Sequence, residues 1–167
     1  CISVDPYYLI QKAQVYGVLP RVMFSARRLN DGMGEYVANQ TIKLMNKKGL
    51  MVKDAKILIL GITFKENCPD IRNTKIVDIY HTLAEYTSNI EVFDPWADAQ
   101  LVMREYKIMI KNKNISNLYG QFDVVILGVA HNEFKGHDIR RFLIDPNSGV
   151  VYDVKGVLEK NQIDGRL

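Results

Sequence analysis

Lys56-Ile57-Leu58-Ile59-Leu60-Gly61 is the stretch from which the fold can be read. Four long or branched apolar residues in a row, closed by glycine, suit a strand buried on both faces, as in a parallel sheet. The same texture returns at Ile90–Phe93, ending at Asp94-Pro95, at Val124–Leu127, and at Val150–Tyr152, ending at Asp153. A weaker run lies at Ile108–Ile110. Helical stretches stand between them: Lys75–Tyr86 behind a capping Thr74, Ala97–Glu105, and a helix containing Ile139–Phe142. Strands separated by crossovers of this length predict an α/β domain with a doubly wound parallel sheet over 53–167.

Upstream of that domain the pattern is helical. Asp5 reads as an N-cap with Pro6 at the first helical position, and Gly17 as a C-cap, giving a helix over 6–16. After Pro20, the residues Val22, Ala26, Leu29, Met33, Val37, Ile42, Leu44 and Met45 fall roughly on one side. That spacing predicts one long helix over 21–48, closed by Gly49. Gly32 and Gly34 weaken its middle by about 1 kcal/mol each relative to alanine. A helix of that length needs a partner surface, as a spine between domains or a dimer seam.

Composition sets the outer bounds. Of the 167 residues 47% are hydrophobic and 25% charged, an ordinary globular balance that excludes disordered, collagen-like and low-complexity classes. A net charge of +3 without a long basic run argues against a nucleic-acid partner. No apolar stretch approaches the roughly 20 residues needed to span a bilayer, and no signal peptide is visible. Two cysteines cannot build a disulfide framework, so the expected compartment is a reducing cytoplasm. The chain begins at Cys1 rather than methionine, which reads as processing or as the C-terminal piece of something longer.

Open parallel sheets bind ligands beyond the carboxyl ends of their strands, which directs attention to the loops after Leu60, Phe93, Leu127 and Tyr152. The first, Gly61 to Thr74, has a single glycine and therefore lacks the G-x-G-x-x-G dinucleotide fingerprint. It does carry Phe64, a face for a ring, Lys65, a point charge for a phosphate, and Arg72, a fork for phosphate oxygens. The same residues also read as a core plug, a solvated lysine, and an arginine paired with Asp70 or Glu66. Lys155, after the last strand, either reaches the same crevice or is a surface lysine. Cys1 and Asp5 lie at a helix start, where a thiolate is stabilised, or are a terminal thiol and a simple cap. Asp94 reads as an end-of-strand turn residue. Cys1 and Cys68 have no further ligands at metal-site spacing, and His81, His131 and His137 lie on different elements, so no metal or histidine-based site is expected.

Taken together, Cys1-Ile-Ser-Val-Asp5-Pro-Tyr-Tyr-Leu9, Arg28-Leu-Asn30-Asp31, the Gly61–Thr74 loop, Phe93-Asp94-Pro95 and Tyr152-Asp153-Val-Lys155-Gly156 resemble the nucleotide-sugar 6-dehydrogenases of the UDP-glucose/GDP-mannose dehydrogenase family. The likeness covers essentially the whole chain. Asn67-Cys68-Pro69-Asp70 and Ala130-His131-Asn-Glu-Phe134 are most similar to the branch acting on UDP-N-acetylglucosamine or UDP-N-acetylgalactosamine, including the Vi-polysaccharide type. Val4 stands where the UDP-glucose branch carries a lysine.

The resemblance implies a Rossmann-like UDP-sugar-binding domain over 53–167. It also implies a helical central segment over 1–52 that carries the nucleophile and builds a homodimer through the 21–48 helix. It implies NAD as the cofactor, bound mainly by an N-terminal domain absent from this chain. Two successive hydride transfers from C6 of the sugar would pass through a Cys1 thiohemiacetal and thioester, with Asp5 assisting water, toward surface polysaccharide. Phe64, Lys65 and Lys155 match substrate contacts, and Arg72 matches an arginine reaching NAD phosphates. Two alternatives stand beside this expectation: a UDP-N-acetylmannosamine dehydrogenase, and a UDP-sugar-binding and dimerisation module without catalysis of its own.

Overall fold

The computed structural model describes residues 4–167. The chain divides into two compact units after Met33.

The first unit holds α1 (Asp5–Val15) and α2 (Arg21–Asp31). Asp5 is not the cap that its position suggested. The N-cap is Val4, which makes no side-chain capping bond, and Asp5 stands in the first turn, where its charge suits the helix dipole. At the other end the expected Gly17 closes α1 in a Schellman motif, with Val18 N–H bonded to Ala13 O and Gly17 N–H to Gln14 O. Tyr7 donates to the Asp31 carboxylate, and Arg27 lies 5.3 Å from the Tyr7 ring centroid and 3.5 Å from Asp31.

The second unit holds most of α3 (Met33–Lys47) and the sheet. The expected single helix over 21–48 is two helices, because α2 stops at Asp31 and Gly32 separates it from α3. Two glycines within three residues lower helix propensity at this point. Gly34 has a packing reason as well: a Cβ there would lie 2.5 Å from Asp78 Cβ, so only glycine lets α3 approach the next helix. Among the described residues no helix is long and apolar enough to cross a membrane.

Six parallel strands follow: β1 (Ile57–Leu60), β2 (Ile90–Phe93), β3 (Ile110–Lys111), β4 (Val124–Leu127), β5 (Val150–Asp153) and β6 (Gly165–Arg166). Their order, β3-β2-β1-β4-β5-β6, is the Rossmann order, with the chain reversing direction across the sheet between β1 and β4. Registers are plain, Ile57 standing beside Ile90 on one side and Val124 on the other. β3 forms slightly later than expected, since Ile108 is buried before the strand begins.

The two faces are covered unequally. Ile57, Ile59, Val92, Val124, Ile126, Val150 and Tyr152 share one core with residues of α3, α4 (Ile76–Ala84) and α5 (Ala99–Tyr106). Leu58, Leu60, Phe93, Val125, Leu127 and Val151 share a second core with Phe122, Phe134 and Phe142. This alternation along fully buried strands is the period of two expected of a pleated sheet, with both faces apolar. The second face is covered by short 3₁₀ turns over Ile115–Leu118, Asn132–Phe134 and Ile139–Phe142. The helix expected at 139–142 is therefore a single turn, capped by the Asp138 carboxylate accepting from Arg140 N–H. Four residues supply Ile139 and Phe142 to the core without room for a longer helix.

Candidate functional site

The switch point where a Rossmann fold opens its ligand crevice lies at the carboxyl ends of β1 and β4. Here that crossing is tight. Gly61 has φ +88°, and a Cβ on it would lie 2.5 Å from Val129 Cβ. Gly128 and Val129 N–H groups both bond to Leu60 O. The switch point is thus filled by backbone, and the usable surface is the rim of loops above it.

Asp94, at the end of β2, organises that rim. Its carboxylate is fully buried, and Oδ1 accepts from Trp96 and Ala97 N–H at 2.8 and 2.9 Å, the turn role that its position suggested. Oδ2 reaches across to β1's loop, accepting from Ile62 and Thr63 N–H at 2.7 and 3.1 Å, and lies 3.1 Å from His131 Nε2 in the β4 loop. Burial pushes this carboxyl up, but His131 and the backbone donors outweigh it and hold Asp94 below the usual carboxylate range.

His131 is itself wholly buried. Its Nδ1 accepts from Asn67 N–H at 3.0 Å, so the proton belongs on Nε2, which lies within reach of Asp94 and, at 3.0 Å, of Thr63 Oγ1. Asn67 Oδ1 accepts in turn from Asn132 N–H at 2.9 Å. Trp96 lies nearly parallel to the imidazole, centroids 6.4 Å apart, and donates from its indole to Glu133. Beside it, a cavity of about 460 Å³ opens between the ends of β4 and β5, lined by Leu127, Ala130, His131, Phe134 and Leu158 among others. That volume falls within the ordinary range of small-molecule sites.

The residues singled out from sequence are distributed around this rim as follows. Phe64 and Lys65 form the exposed turn of the β1 loop, held by Phe64 N–H to Asp70 O at 2.7 Å and by Thr63 Oγ1 donating to Lys65 O. Lys155 stands in a turn that Asp153 builds by accepting from Lys155, Gly156 and Leu158 N–H. Its Nζ lies 3.9 Å from Glu66 Oε2, next to Lys65 in sequence. A bond from its own backbone, then the Lys155 charge, lowers the Glu66 pKa. Arg72 is on the same loop, gripped in a fork by Asp70 through Nε and Nη2 at 2.9 and 2.7 Å, with its side chain 82% exposed. That fork drives the Asp70 carboxyl far down and raises the Arg72 guanidinium. Phe64, Lys65 and Lys155 are thus brought to one rim, with Arg72 farther along the same loop.

Asp5 lies in the first unit, beside a shallow hollow lined by Tyr8, Leu9 and Lys12. Cys1 lies outside the described residues. Sequence reasoning missed the joint role of Asp94 and His131, which stand 37 residues apart. The signals available were a carboxylate directly after one strand and a histidine four residues after another. Among the described residues, no three His, Cys, Asp or Glu side chains gather as a metal site.

Residues 58–160 match the sequence model of the UDP-glucose/GDP-mannose dehydrogenase family, UDP binding domain. Over its whole length the chain is 49% identical to a UDP-N-acetyl-D-glucosamine 6-dehydrogenase of Salmonella typhi and 47% identical to one of Pseudomonas aeruginosa. It spans 39% of the length of each of those relatives. Its fold matches an NDP-N-acetyl-D-galactosaminuronic acid dehydrogenase from Methanosarcina mazei with a TM-score of 0.82 at 18% identity, over 99% of this chain and 37% of that one.

Proposed function

This chain belongs to the UDP-glucose/GDP-mannose dehydrogenase family, and from that premise we propose that it is the nucleotide-gripping part of an NAD-dependent UDP-N-acetylhexosamine 6-dehydrogenase. The sugar is the gluco or galacto epimer, and the product is its uronic acid. The observation that carries the reading is the approach of Lys155 to Glu66, which joins the β5 turn to the loop of Phe64 and Lys65. Two lysines and an exposed aromatic ring on one rim are the chemistry a nucleoside diphosphate requires: point charges for the phosphates and a face for a ring. The identity of 47–49% to two UDP-N-acetyl-D-glucosamine 6-dehydrogenases supports that substrate class over others.

The filled β1–β4 crossing and the lone Gly61 do not fit a dinucleotide cradle in this unit. Arg72, exposed although forked to Asp70, fits a single contact to a phosphate of NAD held mainly outside this chain. NAD would supply the hydride acceptor for the oxidations at C6. Cys1, as thiolate, would add to the C6 aldehyde and hold the carbon covalently so that it does not escape between oxidations. Asp5 would orient or deprotonate the water that releases the uronic acid from the thioester. Segment 1–52 would carry this nucleophile and, through 21–48, build a homodimer. The reaction would be cytoplasmic and would serve surface polysaccharide synthesis.

Calorimetric titration of the chain with UDP tests the core of the reading. Binding is expected, weakened about tenfold in Lys65→Ala, the worth of one charge-assisted contact. An unchanged titration in that variant removes Lys65 from the phosphate site.

A further inference from the structure

Phe64, Lys65 and Glu66 hang between two points, Thr63 and Asn67, and both points are bonded to one buried imidazole. We propose that His131 is a positioning residue: in its Nε2–H tautomer it clasps the loop that presents Phe64 and Lys65, and thereby sets the affinity for the nucleoside diphosphate. The assignment rests on the functional reading above for the ligand, but its geometry stands on the loop itself.

Three features single out this side chain. Its two nitrogens are not interchangeable. A backbone N–H can only donate, so Nδ1, facing Asn67 N–H, must be the acceptor and Nε2 the donor. Thr63 Oγ1 already donates its proton to Lys65 O, so it can only accept from Nε2–H, which it shares with Asp94 Oδ2. Asp94 therefore orients the ring and selects its tautomer, while its other oxygen is occupied by the β2 turn. Second, the bond to Asn67 N–H fixes a turn residue: Asn67 has φ +55°, in the left-handed region that asparagine enters more readily than most residues but shares with extended conformations, and the imidazole selects it. Third, the clasp is closed from above by Trp96 and from the side by Asn132 N–H on Asn67 Oδ1. A loop ordered before the ligand arrives does not lose that freedom on binding, which is how a residue without ligand contact sets affinity.

Two half-isosteres separate this role from simple stability. His131→Asn keeps an acceptor at the Nδ1 position and loses the donor to Asp94. His131→Gln keeps a donor toward Asp94 and loses the acceptor for Asn67 N–H. Both remove the ring, so a purely structural role moves them together. Hydrogen exchange on the unliganded chain should find the Asn67 amide slow in the wild type and in His131→Asn, and fast in His131→Gln. UDP titration should rank the variants in the same order, with a Kd about tenfold higher in His131→Gln and a smaller rise in His131→Asn, where the Asn67 end of the clasp is kept and Thr63 still holds to Asp94 Oδ2 and Lys65 O. A fast Asn67 amide in the wild type overturns the clasp without reference to any variant. Equal affinities, or equal losses, in the two variants overturn the positioning role. If the wild-type chain binds no UDP at all, the functional reading fails and this assignment of affinity falls with it, an outcome distinct from wild-type binding that the variants leave unchanged.

Discussion

At the residue scale, Asp94 ties the loops after β1, β2 and β4 together. It is buried with backbone donors on both oxygens, so replacing one oxygen by an amide nitrogen sets donors against donors. Asp94→Asn is expected to cost about 3 kcal/mol, in the range for a buried charge network losing a partner, measurable by urea denaturation. The pH dependence has a definite sign. The folded-state pKa of Asp94 is lowered, so its contribution is fully present above the ordinary carboxylate value and disappears as pH falls through the folded value. Melting temperature should therefore fall on acidification below the ordinary carboxylate range, and the Asp94→Asn variant should show a shallower fall. Parallel profiles would mean that other carboxylates set the acid limit. For the proposed nucleophile, Cys1→Ser in the full-length dehydrogenase proposed above should abolish uronic acid formation while UDP-sugar binding stays near the wild-type level. Undiminished turnover would exclude the thiol as nucleophile.

At the scale of elements, two close approaches decide the architecture. Gly34 lets α3 meet α4, and Gly61 lets the β1 loop pass under the β4 loop. Gly61→Ala would combine the strain of a left-handed φ with a Cβ contact 2.5 Å from Val129, and is expected to cost about 3 kcal/mol. Urea denaturation of that variant at unchanged m-value checks it, and a loss under 1 kcal/mol would mean that the crossing relaxes easily. The division of the 21–48 pattern into α2 and α3 belongs here as well. Its apolar stripe is real, but the face of α3 is spent on the sheet, where Val37, Ala38 and Met45 join the core. α2 contributes no buried residue among those described. The last strand, β6, has an ionic reason rather than an apolar one. Asp164 just before it meets Lys48 Nζ at 2.5 Å and Arg140 at 3.0 Å, and accepts from Val151 N–H.

At the scale of the whole molecule, the chain spans 39% of the two dehydrogenase relatives it matches at 47–49% identity, and Gly61 stands alone where the dinucleotide fingerprint has three glycines. The 167-residue chain alone is therefore expected to form no NADH from UDP-N-acetylglucosamine and NAD. Measurable turnover would relocate the cofactor site into this chain. What the sequence by itself determined is the parallel sheet, four of whose strands are legible as apolar runs, together with the glycine that closes α1 and the loop bearing Phe64, Lys65 and Arg72. Each of these depends on neighbours within a few residues: a run of branched side chains needs burial on both faces, and a glycine ends a helix. Only the tertiary structure decided that the second face is covered by 3₁₀ turns, that β1 and β4 close on each other, and that Asp94, His131, Thr63 and Asn67 form one network. Those partners are 31 to 68 residues apart along the chain. No local spacing reports such a meeting, because the strand order that brings the loops together arises from the packing of the entire sheet.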